Sequence, residues 1–153
     1  MIMKKTIILI LCISLLCPML SSCGKEADAY SLLCSFVQIY GAEGTIYSPV
    51  IEEGGAGYVY EGLMERIYIF SGDLPTNYAL FLNSRISDPS ECAIFVCDDA
   101  QMLSDVEKMC LERIRLLSSG SDHAFVKRSS NICFYSTMPD RAMAEKIFSQ
   151  LIR

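Results

Sequence analysis

The sequence predicts an α+β fold, in which an antiparallel sheet of about four strands has helices packed on one face. The order strand, strand, helix occurs twice in the second half of the chain. In addition, the run from Glu91 to Cys97 is continuously apolar after its first residue, which is typical of a strand buried on both faces in the middle of a sheet. A signal peptide and an N-terminal helix are expected to precede the sheet.

The N-terminal helix is predicted from Asp28 to Tyr40, where apolar residues recur at helical spacing. Asp28 is a suitable N-cap, and Gly41 is expected to end the helix. Ala42 to Gly57 carries several glycines and acids without a periodic pattern, so it is predicted to be a mobile loop. A short helix is favoured from Gly62 to Tyr68, although the end of this segment would also suit a strand.

Two strands follow, from Asn77 to Ile86 and from Glu91 to Cys97, with a turn at Ser87 to Ser90 between them. A long amphipathic helix is predicted from Ala100 to Leu117, with Asp98 or Asp99 as its cap.

On the outer side of this long helix, Lys108 and Glu112 are expected to pair across one turn. A hairpin is then predicted from Ala124 to Lys127 and from Ile132 to Ser136. Thr137 is predicted to cap the last helix. The apolar face of that helix is assigned to Met143, Ile147, Phe148 and Leu151.

The first residues have the layout of a secretory signal peptide: Lys4 and Lys5 are basic, and Thr6 to Leu20 is an apolar run. The run ends in Leu20, Ser21, Ser22 and Cys23, which resembles the lipobox of bacterial lipoproteins. The resemblance implies that signal peptidase recognises Leu20, Ser21 and Ser22. It also implies that Cys23 carries a diacylglyceryl group with acyl chains such as palmitate and becomes the new N-terminus.

An uncleaved membrane helix and an ordinary cleavable signal are the alternatives. The apolar run has 15 residues, fewer than the roughly 20 that span a bilayer, and Pro18 disfavours a helix near its end. We therefore expect residues 1–22 to be a signal peptide, residues 23–27 a lipidated tether, and residues 28–153 a single domain. That domain is expected at the outer face of the cytoplasmic membrane, held by its N-terminal diacylglyceryl anchor.

Charge and cysteine content restrict the function of the expected mature chain. Its 11 basic residues stand against 18 acidic ones, a formal charge of −7, which disfavours binding to nucleic acid. Beyond the anchor it keeps five cysteines, an odd number whose spacing selects no disulfide pairing. Buried thiols are favoured over up to two disulfides. These five are Cys34, Cys92, Cys97, Cys110 and Cys133.

No catalytic, metal or cofactor motif is found. His123 is the only histidine, and it lies beside Asp122 at a predicted turn, where a solvated side chain is expected. Asp98 and Asp99 are interpreted as helix caps, and Glu91 as one member of a turn-stabilising cluster with Asp88 and Arg85. The sequence therefore favours a non-enzymatic domain over an enzyme, and no cofactor is predicted.

The pattern of residues 60–153 resembles a group of small bacterial lipoproteins, of the Gram-positive clostridial type, that share a domain of unknown function. The matching stretches are Asp88 to Phe95, Asp98-Asp99, Leu111 to Arg113 and Ala144 to Phe148, with Glu91 as the glutamate before the buried strand. This resemblance implies the lipoprotein character and adds no activity.

The first functional hypothesis is a membrane-anchored interaction or accessory domain that contacts an unspecified protein or small ligand. Glu52, Glu53, Tyr58 and Tyr60 are its predicted contact surface, because tyrosines with polar tips are common at interfaces. The alternative is a lipoprotein that binds a small solute or peptide, which requires a pocket of about 300 Å³ or more.

Overall fold

A computed structural model describes residues 27–70, 72–85, 90–117 and 122–153 of the chain. Four helices and five strands are found in this part. In chain order they are α1 (Ala29–Tyr40), β1 (Gly44–Tyr47), α2 (Leu63–Ile67), β2 (Asn77–Asn83), β3 (Glu91–Val96), α3 (Ala100–Leu117), β4 (Phe125–Ser129), β5 (Ile132–Ser136) and α4 (Arg141–Leu151).

The five strands form one antiparallel sheet in the order β1-β2-β3-β5-β4. The central strand is β3, and all six of its residues are buried, as its continuous apolar run predicted. Ile94 is paired with Ala79 on one side and with Phe134 on the other. Because successive side chains of a strand point to opposite faces, both faces of β3 must be covered.

Two hydrophobic layers provide this cover. Helices α1 and α4 pack on one face of the sheet, where Phe36 and Phe148 meet Phe134. Helices α2 and α3 pack on the other face, where Met64 and Met109 lie in one cluster with the inner residues of β3 and β5. The antiparallel α+β fold is therefore confirmed, but its helices lie on both faces rather than on one.

A fifth strand is the second difference from the predicted sheet. β1 lies inside the segment that was predicted to be a mobile loop, and it pairs with β2 from Gly44 opposite Asn83 to Tyr47 opposite Leu80. Four residues on a sheet edge are too few to show alternation, which is why the sequence pattern did not reveal this strand.

Three of the predicted capping residues lie at the helix ends to which they were assigned. The Asp28 carboxylate accepts hydrogen bonds from the Tyr30 and Ser31 amides, and Gly41 ends α1 with a left-handed φ of 78°. Asp99 Oδ1 accepts a 2.7 Å hydrogen bond from the Met102 amide in the first turn of α3. The short helix α2 is also confirmed, within its predicted bounds.

Two predictions about helices are wrong. The N-cap of α4 is Asp140, whose side chain accepts a hydrogen bond from the Met143 amide, whereas Thr137 bonds to the backbone of Glu91. Lys108 pairs with Asp105 at 3.0 Å and not with Glu112.

The cysteines Cys92, Cys97, Cys110 and Cys133 are buried and Cys34 is half-buried, and all five are free thiols. Their burial agrees with their interpretation as small apolar core residues. Burial raises the pKa of the Cys97 thiol to about 12 and also raises the pKa of Cys92 and Cys110. These three thiols are therefore protonated at neutral pH.

None of the helices in the described ranges is both long enough and apolar enough to cross a membrane. The predicted signal peptide and Cys23 lie outside the described residues, as do Ile86 at the end of the predicted strand and residues 87–89 of the predicted turn.

Candidate functional site

Two adjoining depressions lie on the α2–α3 side of the sheet and share Ile69, Phe70 and Gly72, so we treat them as one feature, the Tyr68 groove. The first has a volume of about 480 Å³ and the second about 400 Å³. The first is lined by Met64, Glu65, Tyr68, Ile69, Phe70, Gly72, Asp73 and Leu74. The second is lined by Ile69, Phe70, Gly72, Asp105, Lys108, Met109 and Glu112.

The wall of the Tyr68 groove includes an apolar side chain that the fold leaves uncovered. Ile69 is 67% exposed, although it directly follows the buried Tyr68. Tyr68 is fixed by ring contacts at 5.9 Å to Phe95 and 6.2 Å to Tyr135, both in the edge-on geometry that aromatic pairs favour. A rigid aromatic residue and an exposed aliphatic one therefore lie side by side in the groove.

The rim of the Tyr68 groove is acidic: four carboxylates and one lysine line it. Asp105 accepts hydrogen bonds from Gln101 and Lys108, and these lower the pKa of its carboxyl group. Arg115 donates two hydrogen bonds to Glu112 and lowers its pKa in the same way. Both carboxylates are therefore negatively charged at neutral pH. The other two acids of the rim are Glu65 and Asp73.

A buried polar network continues inward from the groove. The Tyr68 and Tyr135 hydroxyl groups are 2.9 Å apart, and the Tyr135 hydroxyl donates a hydrogen bond to Glu91 Oε1. Arg113 donates from Nε to Glu91 Oε1 at 2.8 Å and from Nη2 to Oε2 at 2.7 Å. The Glu91 side chain is only 4% exposed, so its charge is balanced almost entirely by Arg113.

This network corrects the interpretation of Glu91. The sequence placed it in a turn cluster with Asp88 and Arg85, but its partner is Arg113, and Arg85 lies 4.0 Å from Glu43 instead. Burial raises the pKa of Tyr68 and Tyr135 well above the ordinary tyrosine value. Hydrogen bonding to Glu91 also raises the pKa of Arg113, so its guanidinium stays charged while the two tyrosine hydroxyl groups stay neutral at neutral pH.

A signal for the network was present in the sequence. Arg113 follows Val106, Met109 and Cys110 by seven, four and three residues, which places a cation on the buried stripe of α3. A charged residue in such a stripe needs a buried partner. The identity of that partner, 22 residues away on another element, could not be read from local spacing.

The predicted contact surface lies elsewhere. Glu52 and Glu53 are exposed, Tyr58 is half-buried, and Tyr60 is 44% exposed with the Arg66 guanidinium 5.9 Å from its ring centre. None of these four residues lines the Tyr68 groove. That they form a contact surface stays a prediction.

The loop that carries Glu52 and Glu53 has a fixed base. Ser48 is 1% exposed, and its hydroxyl group donates a 2.9 Å hydrogen bond to the Tyr78 carbonyl oxygen. Ser48 also forms an isolated bridge to Tyr58. Any shortening of this loop must therefore keep Ser48.

A third depression, the Ala27 groove, has a volume of about 560 Å³ and lies on the α1–α4 side. Its lining is mainly aliphatic and comes from the start of α1, the start of β5 and the C-terminal end of the chain. The lining residues are Ala27, Asp28, Ser31, Leu32, Ile132, Leu151, Ile152 and Arg153.

Within the described residues, no group of three or more histidine, cysteine, aspartate or glutamate side chains is arranged to hold a metal ion. Comparisons with protein-family models, with curated proteins and with solved structures find no match to the chain.

Proposed function

We propose that the protein is a lipoprotein anchored at the outer face of the cytoplasmic membrane, and that its domain is a non-enzymatic interaction module. The anchor is supported by the lipobox-like ending at Cys23. The interaction role is supported by the Tyr68 groove, and above all by Ile69, which is 67% exposed in its wall. Exposed apolar surface that is rimmed by polar residues is typical of interaction sites, and here acidic side chains surround Ile69 and Phe70.

The charge of the groove suggests the chemistry of that partner. Four acids and one lysine line the groove, so a segment with apolar side chains and flanking Lys or Arg residues complements it. Apolar contacts with Ile69 and Phe70 would supply affinity, and the acidic rim would select basic segments over acidic ones. We also propose a second contact surface on the loop, formed by Glu52, Glu53, Tyr58 and Tyr60.

A matched pair of variants tests the role of the groove. Ile69→Glu puts a charge into the groove wall, whereas Ile39→Glu changes another exposed isoleucine, 52% exposed, on α1 across the sheet. We expect the partner cross-linked to the wild-type protein in intact cells to be lost with Ile69→Glu and retained with Ile39→Glu. Equal capture by both variants, with both still at the membrane, would remove the groove from the proposal.

The second candidate, a small solute- or peptide-binding lipoprotein, is favoured by one observation. The two parts of the groove, about 480 and about 400 Å³, fall within the size of ordinary ligand sites. Calorimetric titration with basic di- and tripeptides tests it. Heat of binding that Ile69→Glu removes and Ile39→Glu preserves would support a solute-binding role.

A further inference from the structure

The Ala27 groove lies at the end of the domain from which the chain leads back to the proposed anchor. Ala27 itself lines the groove, and Cys23 lies only four residues before it. A chain of four residues spans at most about 14 Å when fully extended. A lipid on Cys23 must therefore lie close to this groove.

The short tether limits which parts of the domain can contact the bilayer. A folded domain of this length is about 35 Å across. Helices α2 and α3, with the Tyr68 groove, pack on the opposite face of the sheet from α1 and α4. A tether of about 14 Å keeps Ala27 and the groove beside it near the bilayer, and the parts of the α2–α3 face farthest from Ala27 lie beyond its reach.

The chemistry of the Ala27 groove suits a lipid surface. Leu32, Leu151 and Ile152 are half-buried aliphatic residues that belong to its lining, and Arg153 lies at its edge. Aliphatic side chains can enter the boundary between lipid headgroups and acyl chains. An arginine beside them can keep its charged tip in the headgroup layer. The acid of the groove, Asp28, is already bonded to backbone amides as the N-cap of α1.

We propose that the Ala27 groove is the face that the domain presents to the bilayer, and that lipids of the interfacial layer around its own anchor occupy it. The inference rests on the proposed anchor at Cys23. It fixes the orientation of the domain, with the α1–α4 layer toward the membrane and the Tyr68 groove directed away from it and accessible to a partner.

The absence of tryptophan from the chain permits a direct test. Single tryptophans are introduced by Leu32→Trp and Ile152→Trp at the groove, and by Leu116→Trp and Ile69→Trp as matched controls. The controls are exposed by 49% and 67% and lie on the α2–α3 side. Each lipidated protein is reconstituted into phosphatidylcholine and phosphatidylglycerol vesicles, with or without bromine atoms at shallow acyl positions.

We expect the brominated lipids to reduce the fluorescence of Leu32→Trp and Ile152→Trp about twofold, because side chains at the headgroup–acyl boundary contact lipid. The controls should keep their intensity. Equal quenching at all four positions, or stronger quenching at the controls, would overturn the orientation. The two groove positions, one on α1 and one just after α4, ensure that a folding defect in one variant does not decide the result.

Flotation of the same vesicles separates this inference from its premise. If the proteins float with the vesicles but the groove variants are not quenched, the membrane face is wrong and the anchor is right. If the full chain purified from membranes does not float, the anchor itself is wrong, and the orientation is overturned with it.

Discussion

Arg113 on α3 and Glu91 on β3 form a two-pronged ion pair, with hydrogen bonds of 2.8 and 2.7 Å to the two carboxylate oxygens. The pair is largely withdrawn from water, with side-chain exposures of 18% and 4%. Because Glu91 begins the central strand, the pair ties the long helix to the middle of the sheet. The same carboxylate also accepts a hydrogen bond from the Tyr135 hydroxyl group.

Arg113→Ala leaves a buried carboxylate without its cation. We expect a loss of about 3–5 kcal/mol in the free energy of unfolding, because an uncompensated buried charge is strongly destabilising. Arg115→Ala, which removes the exposed partner of Glu112, is the matched control and should cost much less, because exposed ion pairs contribute little to stability. Urea denaturation of both variants measures the difference, and equal losses would contradict the assigned role of Arg113.

Replacing both partners tests whether the penalty comes from the unpaired charge. The double variant Glu91→Leu with Arg113→Met should be at least about 1 kcal/mol more stable than Arg113→Ala, since no charge remains buried. A double variant as unstable as the single one would show that the penalty does not come from the unpaired charge.

Alkaline pH should weaken the fold through the two buried tyrosines. Burial raises the folded-state pKa of Tyr68 and Tyr135 well above the ordinary value of 10.0, so the unfolded chain loses these protons first. The contribution of these two tyrosines to the stability of the fold is therefore fully present below pH 10 and falls as the pH rises above it. Above that pH the free energy of unfolding should fall less steeply in Tyr135→Phe than in the wild type. The difference in slope should be about 1.4 kcal/mol per pH unit, the value for one proton. Unfolding measured at several alkaline pH values provides the slopes, and identical slopes for variant and wild type would oppose this assignment.

Much of the fold could be predicted from local pattern. The long helix α3 begins at Ala100, close to its predicted start, and β3 is central because its apolar run has no polar face. β1 escaped prediction because it is short and begins with Gly44, a weak strand former. At that position a β carbon would lie 2.2 Å from the Leu82 carbonyl oxygen. Only glycine therefore fits there without a clash with the neighbouring strand.

The candidate site was less accessible to sequence reasoning. Glu91 was singled out, but its partners Arg113 and Tyr135, through which it is linked to Tyr68, lie on other elements and many residues away. Such pairing depends on how the helices lie on the two faces of the sheet. Periodicity shows which face of an element is apolar, and it does not show which elements meet.

Cysteine reactivity should follow burial. Cys34 is half-buried, whereas Cys97 and Cys110 are buried and burial raises their thiol pKa, in the case of Cys97 to about 12. We expect iodoacetamide at pH 8 to modify Cys34 well before these two, because the thiolate is the reactive form. Mass spectrometric mapping of the folded protein gives the order. Modification of Cys97 as fast as Cys34 would show that the core opens readily.

The base of the Glu52 loop depends on a glycine. Gly57 has a φ of 91°, and a β carbon there would lie 1.9 Å from the Ile46 carbonyl oxygen. Gly57→Ala should therefore destabilise the protein by about 1–3 kcal/mol, the range for a strained backbone position. Gly54→Ala, at a φ of 86° but with no atom within 4 Å, is the control and should cost less in thermal denaturation. A Gly57→Ala variant as stable as the control would mean that the loop base shifts freely.

Removal of the proposed acylation site should release the domain. Cys23→Ser is expected to shift the protein from the membrane to the soluble fraction, because the variant would lack the two acyl chains that are proposed to anchor it. Cys34→Ser changes a cysteine of the folded domain and serves as the control. Fractionation with an antibody against the domain measures both, and a Cys23→Ser variant that stays fully membrane-bound would speak for another anchor.

Intact mass and N-terminal peptide analysis of the protein purified from membranes tests the central claim most directly. The account predicts a chain that begins at Cys23 and carries a diacylglyceryl group on that residue. A chain that still begins at Met1, with no lipid on Cys23, would contradict it.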